Sequence, residues 1–476
     1  MSTSKPKDNA LWTWSELEQA CGLSISGDKT GVTGISIDSR SVVLDDLFIA
    51  LSGDPGPRFK SSGSQGLDGH DFILSALQNG ASGLMVSKPV DLPSESEIKR
   101  LLVSDTLDGL WQIGAAGRAR MTGKVVAITG SSGKTTLRQW VQEILSTQAT
   151  THASVGSFNN HWGVPLSLAR MPRQSAYGVF EVGMNHPGEI SPLTKLVKPD
   201  VAVVLNVLPA HIGQFESLEH IKKEKLSIAD GLGPEGILVL PDDLVPDSAE
   251  NHQIVTFGFG NNASVRGRIF DAGQDRSVTK VEVTIDKQSY TYALDGKGEH
   301  RVLTSLAALA IAHALGADLH AAINSLGAIT TPKGRGNQIR LGNTVLTDDS
   351  YNANPVSMAY ALQSLRASSA ETKIAILGEM FELGDGSADA HRAIQAQCSG
   401  LSRVLTVGEG FNAWQASALP RGVWQHYDNA EDIPIDQLVL GTDIQTELLV
   451  KGSNKVFWVN GFVGRLEKIL RERLKR

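Results

Sequence analysis

The stretch "VVAITGSSGKTTLRQW", residues 125–140, runs from an apolar β-branched segment through a glycine turn into an amphipathic one. A phosphate-binding loop of the common long form has a glycine five residues before its Gly-Lys pair, and here that position is Ile128. The context is nevertheless strand, turn, helix, the order in which backbone N–H groups of a turn and of a helix N-terminus converge on an anion. In that setting Gly130, Ser131, Ser132, Gly133, Lys134, Thr135 and Thr136 form a nucleotide site. Lys134 supplies a point charge to the terminal phosphates and the Thr135 hydroxyl a ligand for magnesium. The competing reading is an ordinary strand-to-helix turn.

Outward from the loop, strands and helices alternate. "KVVAITG" leads into a helix over 134–147, "YGVFEVG" and "DVAVVLNV" read as further strands, and a helix follows Ser217. Near-continuous apolar strands of this kind belong to a parallel sheet covered on both faces, where functional groups collect beyond the C-terminal strand ends. Glu181 ends one strand and His211 lies just past another, so with Thr135 they converge on one sheet edge as a metal-phosphate site. On the helix "SLEHIKKEKLSIADGL", Lys225 interrupts an apolar stripe of Leu218, Ile221, Ile228, Ala229 and Leu232, while Lys223 and Glu224 point elsewhere. A buried lysine is pushed toward the neutral amine. It either snorkels or meets an acid, or the amine combines with carbon dioxide to give a carbamate, an extra carboxylate beside the metals.

The chain of 476 residues calls for several domains. Residues 1–104 read as a small N-terminal α/β domain containing a Gly/Pro/Ser-rich surface loop, "SGDPGPRFKSSGSQGLDG". Residues 105–328, opened by a helix capped by Asp105, form a central P-loop domain with a mainly parallel sheet. Residues 329–476, with strands in "NTVLTDDS", "KIAILGEM", "RVLTVGEG" and "ELLVKGS", each followed by a helical stretch, form a Rossmann-like doubly wound domain ending in a helix over 462–475. The junction "AITTPKG" is either a hinge or a rigid turn. A net charge of −7 without a basic stripe argues against a nucleic-acid partner. Cys21 and Cys398 lack metal-ligand spacing and read as buried thiols of a reducing compartment. No signal peptide or membrane segment is evident, and the expectation is a cytoplasmic monomer.

Beyond these physical readings, the chain resembles the Mur ligases, ATP-dependent amide-forming enzymes of peptidoglycan synthesis. Their loop has the short form T-G-x-x-G-K-[ST], matched by Thr129 through Thr135, and the likeness extends through "DSR", "DGHDF", "FNNHWGVPLSL", "EVGMNHPGEI", "DDSYNANPVSM", "GEMFELG" and "LVKGS". The resemblance is strongest to the member that joins D-alanyl-D-alanine to a UDP-N-acetylmuramoyl tripeptide through an acyl phosphate. It implies ATP and two Mg2+ ions as cofactors, with Glu181 and His211 completing the metal sites and Lys225 carbamylated. It implies Arg335 and Asp349 on the ATP phosphates and ribose, with Tyr351 and Asn352 nearby. Asn159, Asn160, Asn185 and His186 would line the reaction centre, and Ser39 and Arg40 would help hold the uridine nucleotide. Three motifs depart from the family pattern: Arg301 and Thr304 where an H-N-x-x-N helix start lies near the adenine, Ser157 where an asparagine is usual, and Asn454 where an arginine often stands. The alternatives are a relative that adds the third residue, folate polyglutamylation, and, in another class, a P-loop nucleotide switch.

Overall fold

The computed structural model describes residues 10–53, 67–92, 98–209, 215, 217–245, 252–270, 278–295, 298–329, 331–381, 383–415, 418–435, 438 and 444–473. At the N-terminal end, an antiparallel pair, β1 (Trp12–Thr13) and β2 (Gly31–Val32), flanks helix α1 (Trp14–Ala20), whose start is fixed by a reciprocal capping box between Thr13 and Glu16. The strands β3 (Gly34–Ser36), β4 (Asp46–Ile49), β5 (Gly83–Val86) and β6 (Lys99–Leu102) pair in parallel in that order, with α2 (Ile73–Gln78) before β5.

Helix α3 (Thr106–Arg120) comes next, its first turn capped by the Asp105 carboxylate, which accepts from the N–H groups of Leu107 and Asp108. It leads into the large sheet. There β7 (Lys124–Thr129), β8 (Thr151–Ala153), β9 (Tyr177–Glu181), β10 (Val201–Val204), β11 (Ile237–Pro241), β12 (Gln253–Gly258) and β13 (Val265–Phe270) run parallel in the order β13-β12-β11-β10-β7-β9-β8. The hairpin β14 (Val278–Ile285) and β15 (Gln288–Asp295) extends it in antiparallel fashion from β13. This extension was not read from the sequence, although Val281, Val283 and Ile285 alternate into the core in the period of a half-buried strand. The associated helices are α4 (Lys134–Ser146), α5 (Gly163–Ala169), α6 (Ile190–Val197), α7 (Leu218–Leu226), α8 (Glu299–Ala314) and α9 (Leu319–Leu326). Alternate residues of β7 face two separate cores: Val126 and Ile128 pack with Leu137, Trp140 and α8, whereas Val125 and Ala127 pack with Phe180, Leu193 and Ile221.

The last sheet has the order β16-β17-β21-β18-β19-β20, built from β16 (Asn337–Leu341), β17 (Thr344–Asp349), β18 (Thr372–Gly378), β19 (Arg403–Val407), β20 (Trp424–Tyr427) and β21 (Thr446–Lys451). All neighbours are parallel except the β16-β17 hairpin. Helices α10 (Pro355–Ala367), α11 (Ser387–Gln397) and α12 (Phe462–Arg473) accompany it. After β19 the helical stretch is a short 3-10 helix, Glu409–Ala413, rather than an α-helix. Among the described residues, no helix is long and apolar enough to cross a membrane.

Helix α3 belongs to both of the first two sheets. Leu107, Leu110 and Ile113 are buried in one cluster with Trp12, Leu17, Leu47 and Met85 of the N-terminal part and with Leu166 and Ala169 of α5. Its contact with α5 is close because Gly114 and Gly117 lack side chains: a Cβ on Gly117 would lie 2.4 Å from the Leu168 carbonyl oxygen. The core therefore runs through residue 104 without a break.

Candidate active site

Register explains the loop. Thr129 pairs with Val204 of β10, and Ile128 pairs with both Val203 and Glu181, so the C-terminal ends of β7, β9 and β10 lie level at one edge. Ile128 is fully buried strand, and the turn begins only at Gly130. The glycine of the longer loop would fall inside the sheet. Gly133, at φ 79°, takes the left-handed conformation that starts α4, an arrangement that costs a residue with a Cβ roughly 1–2 kcal/mol. Asn206, just past β10, grips the turn. Its Oδ1 accepts from Ser131 N–H at 3.0 Å and Ser132 N–H at 3.1 Å, and its Nδ2 donates to the Ser132 carbonyl at 3.1 Å. Lys134 donates from Nζ to the Gly130 carbonyl at 2.8 Å, across the mouth of its own loop.

Glu181, 1 % exposed, is the hub of the edge. Its carboxylate accepts from the Thr135 hydroxyl at 2.9 Å and from Asn159 Nδ2 at 2.7 Å. Arg138, one turn along α4 from Thr135, is buried as well. Burial lowers its guanidinium from the usual arginine range, and the nearby Glu181 charge opposes that shift. Among the described residues, no group of three or more His, Cys, Asp and Glu side chains forms a metal cage. The Thr135 hydroxyl and Glu181 carboxylate are hard oxygen donors, and such a pair suits Mg2+, which keeps most of its waters and shares substrate phosphates. His211 lies outside the described residues.

Lys225 is buried, at 2 % exposure, with Ile221 and Ile228 on the same face as the stripe predicts, whereas Leu218 at the start of α7 is exposed. Burial lowers the amine well below the ordinary lysine range, the Lys134 charge adds to the effect, and Glu224 opposes it. The reading of Glu224 as pointing elsewhere is wrong: it is buried, and its carboxylate accepts from the N–H groups of Gly188 at 2.9 Å and Ile190 at 3.0 Å. Those two bonds account for the burial of an acid and fasten the "NHPGEI" loop to α7. In that loop His186 pairs with Glu189. Asn185 faces the cleft, as do Asn159 and Asn160, and Asn160 also accepts from the Gly163 N–H at 2.9 Å, where α5 starts.

The cleft has a volume of about 1550 Å³ and separates the large sheet from the C-terminal one. Across it, Arg335 Nη2 donates to Thr135 Oγ1 at 3.1 Å and Ser157 Oγ at 3.3 Å. Its turn is held rigidly, since the Gly334 N–H donates to Asp348 at 3.0 Å and to Asn337 at 2.9 Å. These bonds fix the end of the junction at Gly334, and Thr330 within it lies outside the described residues. Asp349 ends β17 level with Lys451 at the end of β21, and the two form an ion pair at 2.6 Å. Lys451 is 2 % exposed and also donates to the Asn352 carbonyl at 3.1 Å. Tyr351 and Asn352 line the cleft beside this pair, as do Arg301, Thr304 and Asn454. Ser39 and Arg40 do not: Ser39 is buried and its carbonyl accepts from Asn79, while Arg40 is exposed and makes a two-pronged pair with Asp38.

Family models match two parts of the chain, the Mur ligase middle domain at residues 128–312 and the Mur ligase glutamate ligase domain at 334–453. The UDP-N-acetylmuramoyl-tripeptide–D-alanyl-D-alanine ligase of Escherichia coli (strain K12) is 32% identical over 456 residues, covering 93% of this chain and 95% of its own. The chain belongs to the Mur ligase family. Among solved structures, a MurF from Acinetobacter baumannii superposes on this Mur ligase with a TM-score of 0.80 at 31% identity, covering 96% of this chain and 99% of its own. The MurF ligase of Thermotoga maritima in complex with ADP gives a TM-score of 0.76 at 26% identity, covering 92% and 98%. The three-domain α/β architecture expected from the sequence is the one this Mur ligase has.

Asn206 and Lys451 were missed in the sequence. Asn206 had no local signal, because its function depends on the level alignment of two strands. Lys451 had one: a lysine directly after the apolar run Leu448–Val450, an anomaly like the one that marks Lys225.

Proposed function

We propose that this Mur ligase joins D-alanyl-D-alanine to UDP-N-acetylmuramoyl-tripeptide with cleavage of ATP to ADP and phosphate, acting as a cytoplasmic monomer. The observation that carries the proposal is that Glu181 and Arg335 both hydrogen-bond to Thr135, which puts a hard-oxygen ion site and a cation from the C-terminal part at the phosphate loop. The relatives named above are called for this dipeptide-adding reaction, so the third-residue-adding alternative is not favoured.

In this reading residues 1–104 hold the UDP end, with Ser39 and Arg40 contributing, residues 105–328 hold ATP, and residues 329–476 cover it. A carboxylate is a poor electrophile. The tripeptide carboxylate therefore attacks the γ-phosphorus, ADP leaves, and the dipeptide amine displaces phosphate from the acyl phosphate. The loop from Gly130 to Thr136 cradles the phosphates, and Lys134 and Arg335 spread the charge that builds on the transferring group. Thr135 and Glu181 would hold Mg2+, with His211 and Lys225 completing a two-ion arrangement; bound there, the ions supply Lewis-acid stabilisation of phosphoryl oxygens. Asp349 contacts the ribose beside Tyr351 and Asn352, while Asn159, Asn160, Asn185 and His186 order the reacting ends. The Lys225 amine, pushed by burial toward its neutral form, adds as the free base to carbon dioxide and loses one proton, becoming a carbamate anion.

The test is phosphate release from ATP with the UDP-muramoyl tripeptide present, with and without D-alanyl-D-alanine, followed by mass analysis of the nucleotide product. Dipeptide-dependent release with a product heavier by the dipeptide less one water is expected. Release indifferent to the dipeptide would refute the assignment of the acceptor.

A further inference from the structure

The loop after β8 brings one hydroxyl to the boundary between the large sheet and the C-terminal sheet. Ser157 Oγ accepts from Arg335 Nη2 at 3.3 Å and lies 3.0 Å from the Tyr351 hydroxyl. The Arg335 guanidinium stacks 4.1 Å over the Tyr351 ring, and the same Nη2 donates to Thr135 at 3.1 Å. The contacts close a ring: serine to guanidinium, guanidinium to the phenol face, phenol hydroxyl back to serine. Behind it, the Tyr351 ring meets Trp458 edge-on with centroids 5.3 Å apart.

A guanidinium at the end of a long side chain has many orientations in solution, and its planar fork is selective only when its plane is fixed. Here two acceptors on one nitrogen and an aromatic face fix that plane. Among the described residues, removing the Ser157 hydroxyl leaves Nη2 with Thr135 as its acceptor and takes away the bond that ties the Tyr351 hydroxyl to the large sheet. We infer that Ser157 is a positioning residue: it aims Arg335 at the phosphate loop and straps the turn carrying Arg335 and Tyr351 to the large sheet. What Arg335 does there rests on the ligase reading; the strap itself rests on the geometry.

The experiment compares wild type, Ser157→Ala and Ser157→Thr by steady-state kinetics and by hydrogen–deuterium exchange. In Ser157→Ala, kcat should fall by about 10- to 100-fold while KM for ATP changes by less than about threefold. Exchange should rise in peptides covering 334–352, on the far side of the boundary. Ser157→Thr, which retains the hydroxyl, should restore both. Unchanged kcat and exchange in Ser157→Ala would overturn the inference. So would a loss of activity with faster exchange confined to 154–162, the mark of a merely local role. If wild type shows no dipeptide-dependent phosphate release, the ligase reading falls, and exchange in 334–352 decides the strap by itself.

Discussion

The Lys134 charge lies close enough to lower the Lys225 amine further than burial alone does, and Lys225 is sealed from water. Both effects push Lys225 toward the neutral amine, the form covalent chemistry needs, while Lys134 sits in the phosphate loop. Replacing Lys134 by Ala should lower kcat by roughly 10³-fold, by analogy with loss of a single charge-stabilising donor, with the thermal midpoint little changed. Wild-type turnover in that variant would end the phosphate-loop assignment. Lys225→Ala should lose at least about 100-fold in kcat and recover part of it in added formate or acetate, which restores a carboxylate at the vacated site. A variant that remains fully active, or is inactive and gains nothing from these anions, would remove the carbamate. At this scale the sequence was legible where a residue broke its own pattern, as at Lys225. It misled at Glu224, whose two backbone partners come from a loop some 35 positions away.

Elements are held by constraints of two kinds, space and proton state. An exposed glycine in a helix gives up to about 1 kcal/mol relative to alanine, so Gly464→Ala in α12, where an added Cβ meets nothing, should raise stability. Gly117→Ala gains the same propensity, yet its Cβ would collide with backbone at 2.4 Å, and such overpacking costs about 1–3 kcal/mol or more. The collision wins, and the two substitutions should move the thermal midpoint in opposite directions; a rise for both would mean that α3 and α5 separate easily. On α11, beside the C-terminal sheet, His391 is fully buried. Its Nε2 accepts from the Met380 N–H at 3.0 Å, and its Nδ1 lies 2.8 Å from the Ser387 carbonyl, so the ring is held neutral with the proton on Nδ1. Burial depresses the imidazole, with Glu379 opposing. Because its folded value lies below the unfolded one, its contribution is complete above about pH 6.5 and is lost as the pH falls below that. Melts from pH 8 to pH 5 should show this decline, and it should be shallower in His391→Gln; identical slopes would exclude His391 as a source. Neither the glycine contact nor the histidine pocket was visible in periodicity, which reports which face is buried but not what it touches.

Across the whole molecule, the two boundaries differ in kind. Between the N-terminal and large sheets there is a shared apolar core, reinforced by Trp12 Nε1 donating to the Ala169 carbonyl at 2.7 Å and by Arg120 lying 3.4 Å over the Trp12 ring. Between the large and C-terminal sheets, among the described residues, no buried apolar cluster spans the gap, and the contacts around Arg335 are polar. Calorimetry should accordingly resolve two unfolding transitions rather than three, with Trp12→Ala lowering one and sparing the other. Three independent transitions would contradict a joint core. The three-part division was legible because each α/β series has its own run of apolar strands, but the division at 104 was drawn after a helix and a strand, ahead of the helix capped by Asp105, and that element order does not reveal that α3 is packed from both sides. For protein engineering, that helix marks where the chain resists recombination. A chimera crossing over near residue 104 would pair an α3 from one parent with a partner surface from another and would have to be repacked. One crossing over at 331–333 would sever few apolar contacts and would transfer the C-terminal part as a ready-made cassette.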